Sequence, residues 1–177
     1  MNCPEDIVLV MDESGSIRTS DNDLMKSFLS DLVSRLDVDN GNTRVGLVSY
    51  SSQVKTTFNL NAHSSVKSLQ TAITNLSTPY GDTNTHLALE YVRTTLFTSA
   101  AGDRSNASNV VVVLTDGSSK DKHATLVSVN YHLHTCFCQF LHNFFRPMRF
   151  HRTAASKRIS SNALCSMFTV FSKIPNY

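Results

Sequence analysis

The stretch DIVLVMDESGS at residues 6–16 decides the fold, because a mostly apolar run passes directly into a polar turn. Residues 6–11 have the composition of a short parallel strand that is buried on both faces of a sheet. A second run, NVVVVL at residues 109–114, also leads into a polar turn, TDGSS at residues 115–119. In open parallel sheets, ligands bind beyond the carboxyl ends of the strands. The two runs therefore predict central strands with a binding site at their ends.

Hydrophobic spacing between the two runs predicts three helices and two more strands. Apolar residues recur at helical spacing after Asp21, within residues 64–76 and after Thr85. Residues 43–51 and 54–60 are predicted strands, and their two-residue separation favours an antiparallel hairpin. The order β-α-β-β-α-α-β predicts an α/β fold: an open, mostly parallel, doubly wound (Rossmann-like) sheet with an antiparallel edge strand.

The first helix is predicted to bury one apolar stripe. Its members are Leu24, Met25, Phe28, Leu29, Leu32, Val33 and Leu36. Candidate N-caps are Ser20, Asp21 and Asn22. We expect the helix to begin within these capping residues and to stop before Asn40-Gly41.

Three polar loops are expected to meet at the carboxyl end of the sheet. The candidate metal ligands in them are Asp12, Ser14, Ser16, Thr83 and Asp116. All are oxygen donors, which suit Mg²⁺, Mn²⁺ or Ca²⁺ better than zinc or copper. Hydroxyl ligands cancel none of a cation's charge, so the carboxylates are expected to act partly through water. The cation would then keep an open position for a carboxylate of another molecule.

These loops resemble the metal-ion-dependent adhesion site (MIDAS) of von Willebrand factor type A (VWA) domains. DESGS, GDTNT and LTDG match its three loops, and the segments around them are similar to A-domains of type VI collagen-like and other matrix proteins. By position, Ser14, Ser16 and Thr83 match the hydroxyl ligands, and Asp12 and Asp116 match the carboxylates. The resemblance covers about two thirds of the chain.

The resemblance to VWA domains implies a function in adhesion. A bound divalent cation would coordinate an Asp or Glu side chain of a protein partner, such as collagen or another matrix protein. It implies no enzymatic activity and an extracellular location, although no signal peptide is visible at the start of this sequence.

Alternative functions stay open at this point. The same domain could serve as an intracellular scaffold in a multiprotein assembly. An acidic residue after a first apolar strand also occurs in aspartate-dependent phosphatases, but Ser14 stands where their second carboxylate is expected. The DESGS loop could also be a turn that only caps a helix.

The composition of the chain changes abruptly at Asp121. All 14 acidic residues lie at or before that position, whereas residues 122–177 contain seven Lys and Arg, seven of the ten Phe and no Gly. A VWA domain would continue here with a glycine-bearing apolar strand and an amphipathic helix. We therefore divide the chain into a VWA-like domain at residues 3–121 and a divergent basic and aromatic tail. We expect the tail to leave the sheet incomplete, although alternation in residues 127–137 offers one further strand beside residues 109–114.

The origin of residues 122–177 is a separate hypothesis. A wrong reading frame, a retained intron or an alternative exon would each explain the abrupt loss of acidic residues and of the family pattern. Within this segment, every second residue from 132 to 138 is a candidate zinc ligand: His132, His134, Cys136 and Cys138. In an extended strand these four would lie on one face, with the outer pair ~20 Å apart. That distance is too large for one tetrahedral zinc ion.

The remaining signals exclude several classes of protein. A net charge of +2 gives no argument for nucleic-acid binding, and no segment reaches the ~20 apolar residues of a membrane span. The four cysteines, at positions 3, 136, 138 and 165, are irregularly spaced, so no disulfide framework is predicted. Asn75 and Asn106 begin Asn-X-Ser triplets and are candidate glycosylation sites.

Overall fold

The computed structural model describes residues 4–76, 81–115 and 168–172. The strands are β1 (Glu5–Asp12), β2 (Thr43–Tyr50), β3 (Val54–Phe58), β4 (Ser108–Leu114) and β5 (Phe168–Ser172). The helices are α1 (Thr19–Ser34), α2 (Val66–Thr74) and α3 (Thr85–Tyr91). A π-helical turn, Val92–Leu96, extends α3, and a 3-10 turn follows at Ser99–Ala101.

The strands form one sheet in the order β3-β2-β1-β4-β5. The central strand β1 runs parallel to both β2 and β4, with Leu9 opposite Leu47 on one side and Val112 on the other. The edge strands β3 and β5 run antiparallel to their neighbours. This arrangement confirms the predicted α/β sheet with parallel central strands.

Helices cover both faces of the sheet, so β1 is buried on both sides. Ile7, Leu9 and Met11 pack into a cluster with residues of α1 and α2. Val8 and Val10 point the other way, into a cluster with residues of α3. Burial on both faces explains why the sequence is apolar without a break from Ile7 to Met11. No helix among the described residues combines the length and apolar character needed to cross a bilayer.

Helix α1 differs from its prediction in its start and in its buried face. It begins at Thr19, before all three candidate caps, and Arg18 in the cap position makes no side-chain capping hydrogen bond. The buried residues are Asn22, Met25, Leu29, Leu32 and Val33, whereas Leu24 is 54% exposed. The predicted stripe was therefore too wide, because helical spacing alone does not say which part of it the sheet covers.

Strand β5 shows that the divergent tail, residues 122–177, contributes one antiparallel strand to the outer edge of β4. It pairs with β4 along five positions, with Val170 opposite Val112. The segment FTVFS is rich in β-branched and aromatic residues, which favour strands. The outer edge of β4 presents backbone N–H and C=O groups with which this segment can pair. The alternating residues 127–137, where such a strand was predicted, lie outside the described residues.

Candidate metal centre

Asp12 ends β1 at the carboxyl edge of the sheet, and its side chain is completely buried. Its Oδ1 accepts a hydrogen bond from the Ser14 backbone N–H at 2.9 Å. A carboxylate that bonds the backbone two residues further on is a local turn that Asp readily forms. The turn fixes the direction in which the following residues leave the strand.

The second carboxylate oxygen of Asp12 is held by two hydroxyl groups, one at the end of β2 and one directly after β4. Its Oδ2 accepts from Thr115 Oγ1 at 2.8 Å and from the Tyr50 hydroxyl at 3.2 Å. The ion pairs found in the part of the chain that the structure describes are Arg35–Asp31 and Arg104–Asp6, neither of which includes Asp12. Asp12 is thus a buried carboxylate whose described partners are all neutral. A nearby cation would offset the cost of burying that charge.

Ser14 and Ser16 bring their hydroxyl groups together just beyond Asp12. Their Oγ atoms lie 3.0 Å apart, with Ser14 buried and Ser16 exposed to solvent. The backbone of this loop is held by Glu13 N–H, which donates to the Tyr50 carbonyl at 2.8 Å. The two hydroxyls therefore form a pair of adjacent oxygen donors that opens toward solvent at Ser16.

The loop that carries Thr83 is attached to the same place. The Gly81 carbonyl accepts from Gly15 N–H at 2.9 Å, which joins this loop directly to the Ser14–Ser16 loop. On its other side, Ser52 Oγ accepts from Asp82 N–H at 2.9 Å. Thr83 itself is buried and precedes the first residue of α3 by two positions. The structure therefore brings the first and second predicted loops together.

Gly81 is required by close packing against the β2–β3 turn. A Cβ at this position would lie 2.6 Å from Ser52 Oγ and 3.0 Å from the Ser52 backbone nitrogen. A Cβ contact as short as 2.6 Å essentially never occurs in folded proteins, so either the Ser52 hydroxyl, which accepts from Asp82 N–H, or the loop itself would have to move. The absence of a side chain at Gly81 thus allows the Thr83 loop to reach the site.

Asp116, the fifth predicted ligand, lies outside the described residues. Thr115, directly before it, has its hydroxyl on Asp12, which locates the end of β4 beside the site. Of the five predicted ligands, the structure places Asp12, Ser14 and Ser16 in one hydrogen-bonded group and attaches the loop of Thr83 to them.

Tyr50, Thr85 and Ser52 are neighbours of the site that the sequence analysis did not single out. Tyr50 is the last residue of β2 and lies opposite Asp12 in the parallel register. Its position near the carboxyl end of the predicted strand at residues 43–51 could have indicated that it lies beside the site. The contacts of Ser52 and Thr85 depend on how the hairpin turn and α3 approach the sheet, for which the sequence contains no local signal.

Burial also changes the acid–base properties of two groups beside the site. It raises the pKa of Glu13, a shift that a hydrogen bond with Ser49 and the charges of Lys26 and Lys55 oppose. Burial and the charge of Asp12 both raise the pKa of Tyr50. The Tyr50 hydroxyl therefore keeps its proton at neutral pH and acts as a donor toward Asp12.

The donor set fits a hard divalent cation. Hydroxyl and carboxylate oxygens are ligands that Mg²⁺, Mn²⁺ and Ca²⁺ accept. Within residues 4–76 and 81–115, no three His, Cys, Asp or Glu side chains form a metal-binding group. Among the described candidates, the oxygen donors are the hydroxyl groups of Ser14, Ser16 and Thr83 and the buried carboxylate of Asp12.

A mixed sheet with parallel central strands, covered on both faces and carrying an aspartate and two serine hydroxyls at the end of its central strand, is the arrangement expected of a VWA domain. The family model of the von Willebrand factor type A domain matches residues 6–134. The chain belongs to this family.

Relatives of the chain are found among matrix and adhesion proteins. Matrilin-1 of Homo sapiens is 40% identical over 121 residues, which cover 67% of this chain and 24% of matrilin-1. Integrin alpha-2 of Bos taurus is 40% identical over 122 residues, which cover 67% of this chain and 10% of the integrin. The chain thus spans a quarter or less of the length of these curated relatives.

A solved structure shares the fold and carries zinc at its own MIDAS motif. Proximal thread matrix protein 1 from the mussel byssus, solved with zinc in its MIDAS motif, superposes with a TM-score of 0.67 at 25% identity. The match covers 73% of this chain and 35% of the mussel protein. A divalent cation at a MIDAS motif is therefore observed in a structural relative.

Proposed function

We propose that this chain is a metal-dependent protein-binding module of the extracellular matrix. In this proposal Asp12, Ser14, Ser16, Thr83 and Asp116 hold one divalent cation, Mg²⁺ or alternatively Mn²⁺ or Ca²⁺. The partner is a protein that presents an Asp or Glu side chain, and collagen and other matrix proteins are the first candidates. Relatives in matrix and adhesion proteins support this class of function.

The environment of Asp12 is the observation that carries the proposal. Its carboxylate is completely buried, its described partners are neutral donors, and the adjacent Ser14 and Ser16 hydroxyls lie 3.0 Å apart. A structural turn does not need a buried carboxylate next to two converging hydroxyls. A cation-binding site does, since the carboxylate supplies the charge and the hydroxyls supply the ligands.

The chain's own residues explain why a partner carboxylate would be needed. Hydrogen bonds from Ser14, Tyr50 and Thr115 take three of the about four acceptor positions of the Asp12 carboxylate, so its main role would be to orient the loop. The remaining described ligands, Ser14, Ser16 and Thr83, are neutral. When bound, the cation would supply an electrophilic centre whose charge these hydroxyls leave uncompensated. An acidic side chain from outside would complete both the charge and the coordination.

We also propose the extent of the module and its location. Residues 3–121 would carry the site, and residues 122–177 would be a divergent tail of separate origin, from which β5 is added to the sheet.

The side chains of Asn75, at the end of α2, and Asn106, in the turn before β4, are exposed and thus accessible for glycosylation. Glycans at both positions on protein from secreting cells would support an extracellular location.

The test is capture of the chain on surfaces coated with collagen or other matrix proteins, in Mg²⁺, Mn²⁺, Ca²⁺ or Zn²⁺ and in EDTA. Thr83→Ala removes one proposed ligand. Its matched control is Thr71→Ala, because Thr71 is exposed and its hydroxyl donates to the Lys67 carbonyl of its own helix. We expect binding that EDTA and Thr83→Ala abolish and Thr71→Ala leaves unchanged. Binding that persists in EDTA and in Thr83→Ala would contradict the proposal.

A further inference from the structure

Tyr50 connects the metal-site loop with the start of α3 through a single hydroxyl group. The Tyr50 hydroxyl lies 3.2 Å from Asp12 Oδ2 and 3.2 Å from Thr85 Oγ1. The three residues are almost completely buried, with 1%, 0% and 4% of their surfaces exposed for Tyr50, Asp12 and Thr85. Water therefore has little access to replace any of these partners, and a lost hydrogen bond would leave a buried polar group unsatisfied.

The chemistry of the hydroxyl fixes the direction of the hydrogen bonds. A carboxylate oxygen only accepts, so the single Tyr50 proton points to Asp12. The Tyr50 oxygen then accepts from the Thr85 hydroxyl. The result is a chain of hydrogen bonds from Thr85 through Tyr50 to Asp12, which crosses three elements, α3, β2 and β1.

We infer that Tyr50 is a positioning residue for the metal site, which holds the Asp12 carboxylate and the Thr83 loop in one fixed arrangement. This inference rests on the proposed function. Asp12 Oδ1 sets the Ser14 backbone, and Thr85 follows Thr83 by two residues at the first position of α3. The link through Tyr50 thus fixes the distance between two groups of proposed ligands that belong to different loops.

A purely structural role for Tyr50 is the competing explanation. Its ring packs in the cluster with Val48 and Ala88 on the α3 side of the sheet. Tyr50→Phe keeps this ring and removes only the hydroxyl, so it separates positioning from packing. Tyr91→Phe is a matched control, because the Tyr91 hydroxyl bonds Thr56 Oγ1 at 2.9 Å and also links α3 to the sheet, at a place where it does not contact Asp12.

The experiment measures Mn²⁺ affinity by calorimetry on the full chain, with thermal unfolding in EDTA as a separate measure of stability. Partners that orient metal ligands typically change metal affinity by about 10- to 100-fold when they are removed. We expect Tyr50→Phe to bind Mn²⁺ about tenfold more weakly, and Tyr91→Phe to bind it as the wild type does. Thr85→Val should weaken binding as well, and the double variant with Tyr50→Phe should lose less than the two single losses combined.

The outcomes distinguish this inference from the proposed function. Wild-type affinity in Tyr50→Phe, or an equal loss in Tyr91→Phe, would overturn the positioning role while the cation site stands. A wild-type chain that binds no Mn²⁺ would overturn both. Additive losses in the double variant would show that Thr85 and Tyr50 act separately, which also overturns the inferred link.

Discussion

At the scale of single residues, the proposed site depends on groups that share hydrogen bonds rather than on a cluster of charges. Asp12 accepts from three donors, and the loops on either side are joined by the bond from Gly15 N–H to the Gly81 carbonyl. The positions of Ser14 and Thr83 are therefore only as precise as the backbone that carries them. A change that moves one of these loops should affect cation binding without touching a ligand.

Gly81→Ala tests this dependence on backbone position. The new Cβ would lie 2.6 Å from Ser52 Oγ and 3.0 Å from the Ser52 backbone nitrogen, so either the Ser52 hydroxyl gives up its bond from Asp82 N–H or the loop that carries Thr83 shifts. We expect a loss of Mn²⁺ affinity together with a lower melting temperature. Gly41→Ala is the control, since Gly41 has a φ of +75° and open space around its Cβ position. It should lower stability through backbone strain and leave Mn²⁺ affinity unchanged. Equal affinity in Gly81→Ala and the wild type would contradict the role of this loop.

At the scale of elements, one arginine side chain connects several segments at the amino end of the parallel strands. Arg104, in the turn before β4, bonds both oxygens of the completely buried Asp6 on β1. Its guanidinium also donates to the carbonyl groups of Gly41, Glu5 and Asn42. The arginine thus joins the starts of β1 and β4 to the turn before β2. It stabilises the central strands at the end opposite the candidate metal centre.

Arg104→Ala should destabilise the domain strongly, because it leaves Asp6 buried without its cation. Removing one partner of a buried ion pair typically costs about 3–5 kcal/mol. Arg35→Ala is the matched control, since the Arg35–Asp31 pair is solvent-exposed and such pairs contribute only about 0.2–1 kcal/mol. The measurement is urea unfolding of both variants. A loss for Arg104→Ala no greater than that for Arg35→Ala would show that the contacts of Arg104 contribute little.

At the scale of the whole molecule, the outer edge of β4 is paired with a strand that lies more than fifty residues further along the chain. Strand β5 covers the outer edge of β4, and β3 forms the opposite edge of the sheet. Without β5, the seven-residue strand β4 would present an unpaired edge, which favours association between molecules. The segment 168–172 therefore contributes to folding even though its composition departs from the rest of the domain.

Truncation after residue 167 tests the contribution of β5. We expect this chain to melt at a lower temperature and to aggregate more readily than a chain truncated after residue 172, which retains β5. Both truncated chains should be compared by scanning calorimetry and light scattering at equal concentration. Identical melting and scattering for the two would mean that the pairing of β5 with β4 does not stabilise the protein.

The sequence by itself determined the parallel core and the oxygen-bearing residues that follow its central strand. Strands buried on both faces are continuous apolar runs, so the local pattern was sufficient to predict β1 and β4. The oxygen donors Asp12, Ser14 and Ser16 directly follow the apolar run of β1, so their position at the end of this strand could also be predicted. The family match and the observed sheet confirm the fold, whereas the cation and its five ligands stay a proposal.

Only the tertiary structure decided which surfaces and which distant partners meet. Helical periodicity placed Leu24 on the buried stripe of α1, but the docking of the helix on the sheet leaves it 54% exposed. The Tyr50 link to Thr85 and the pairing of β5 with β4 join residues that are far apart in the chain. Such contacts depend on the approach of whole elements, and no local pattern of residues encodes that approach.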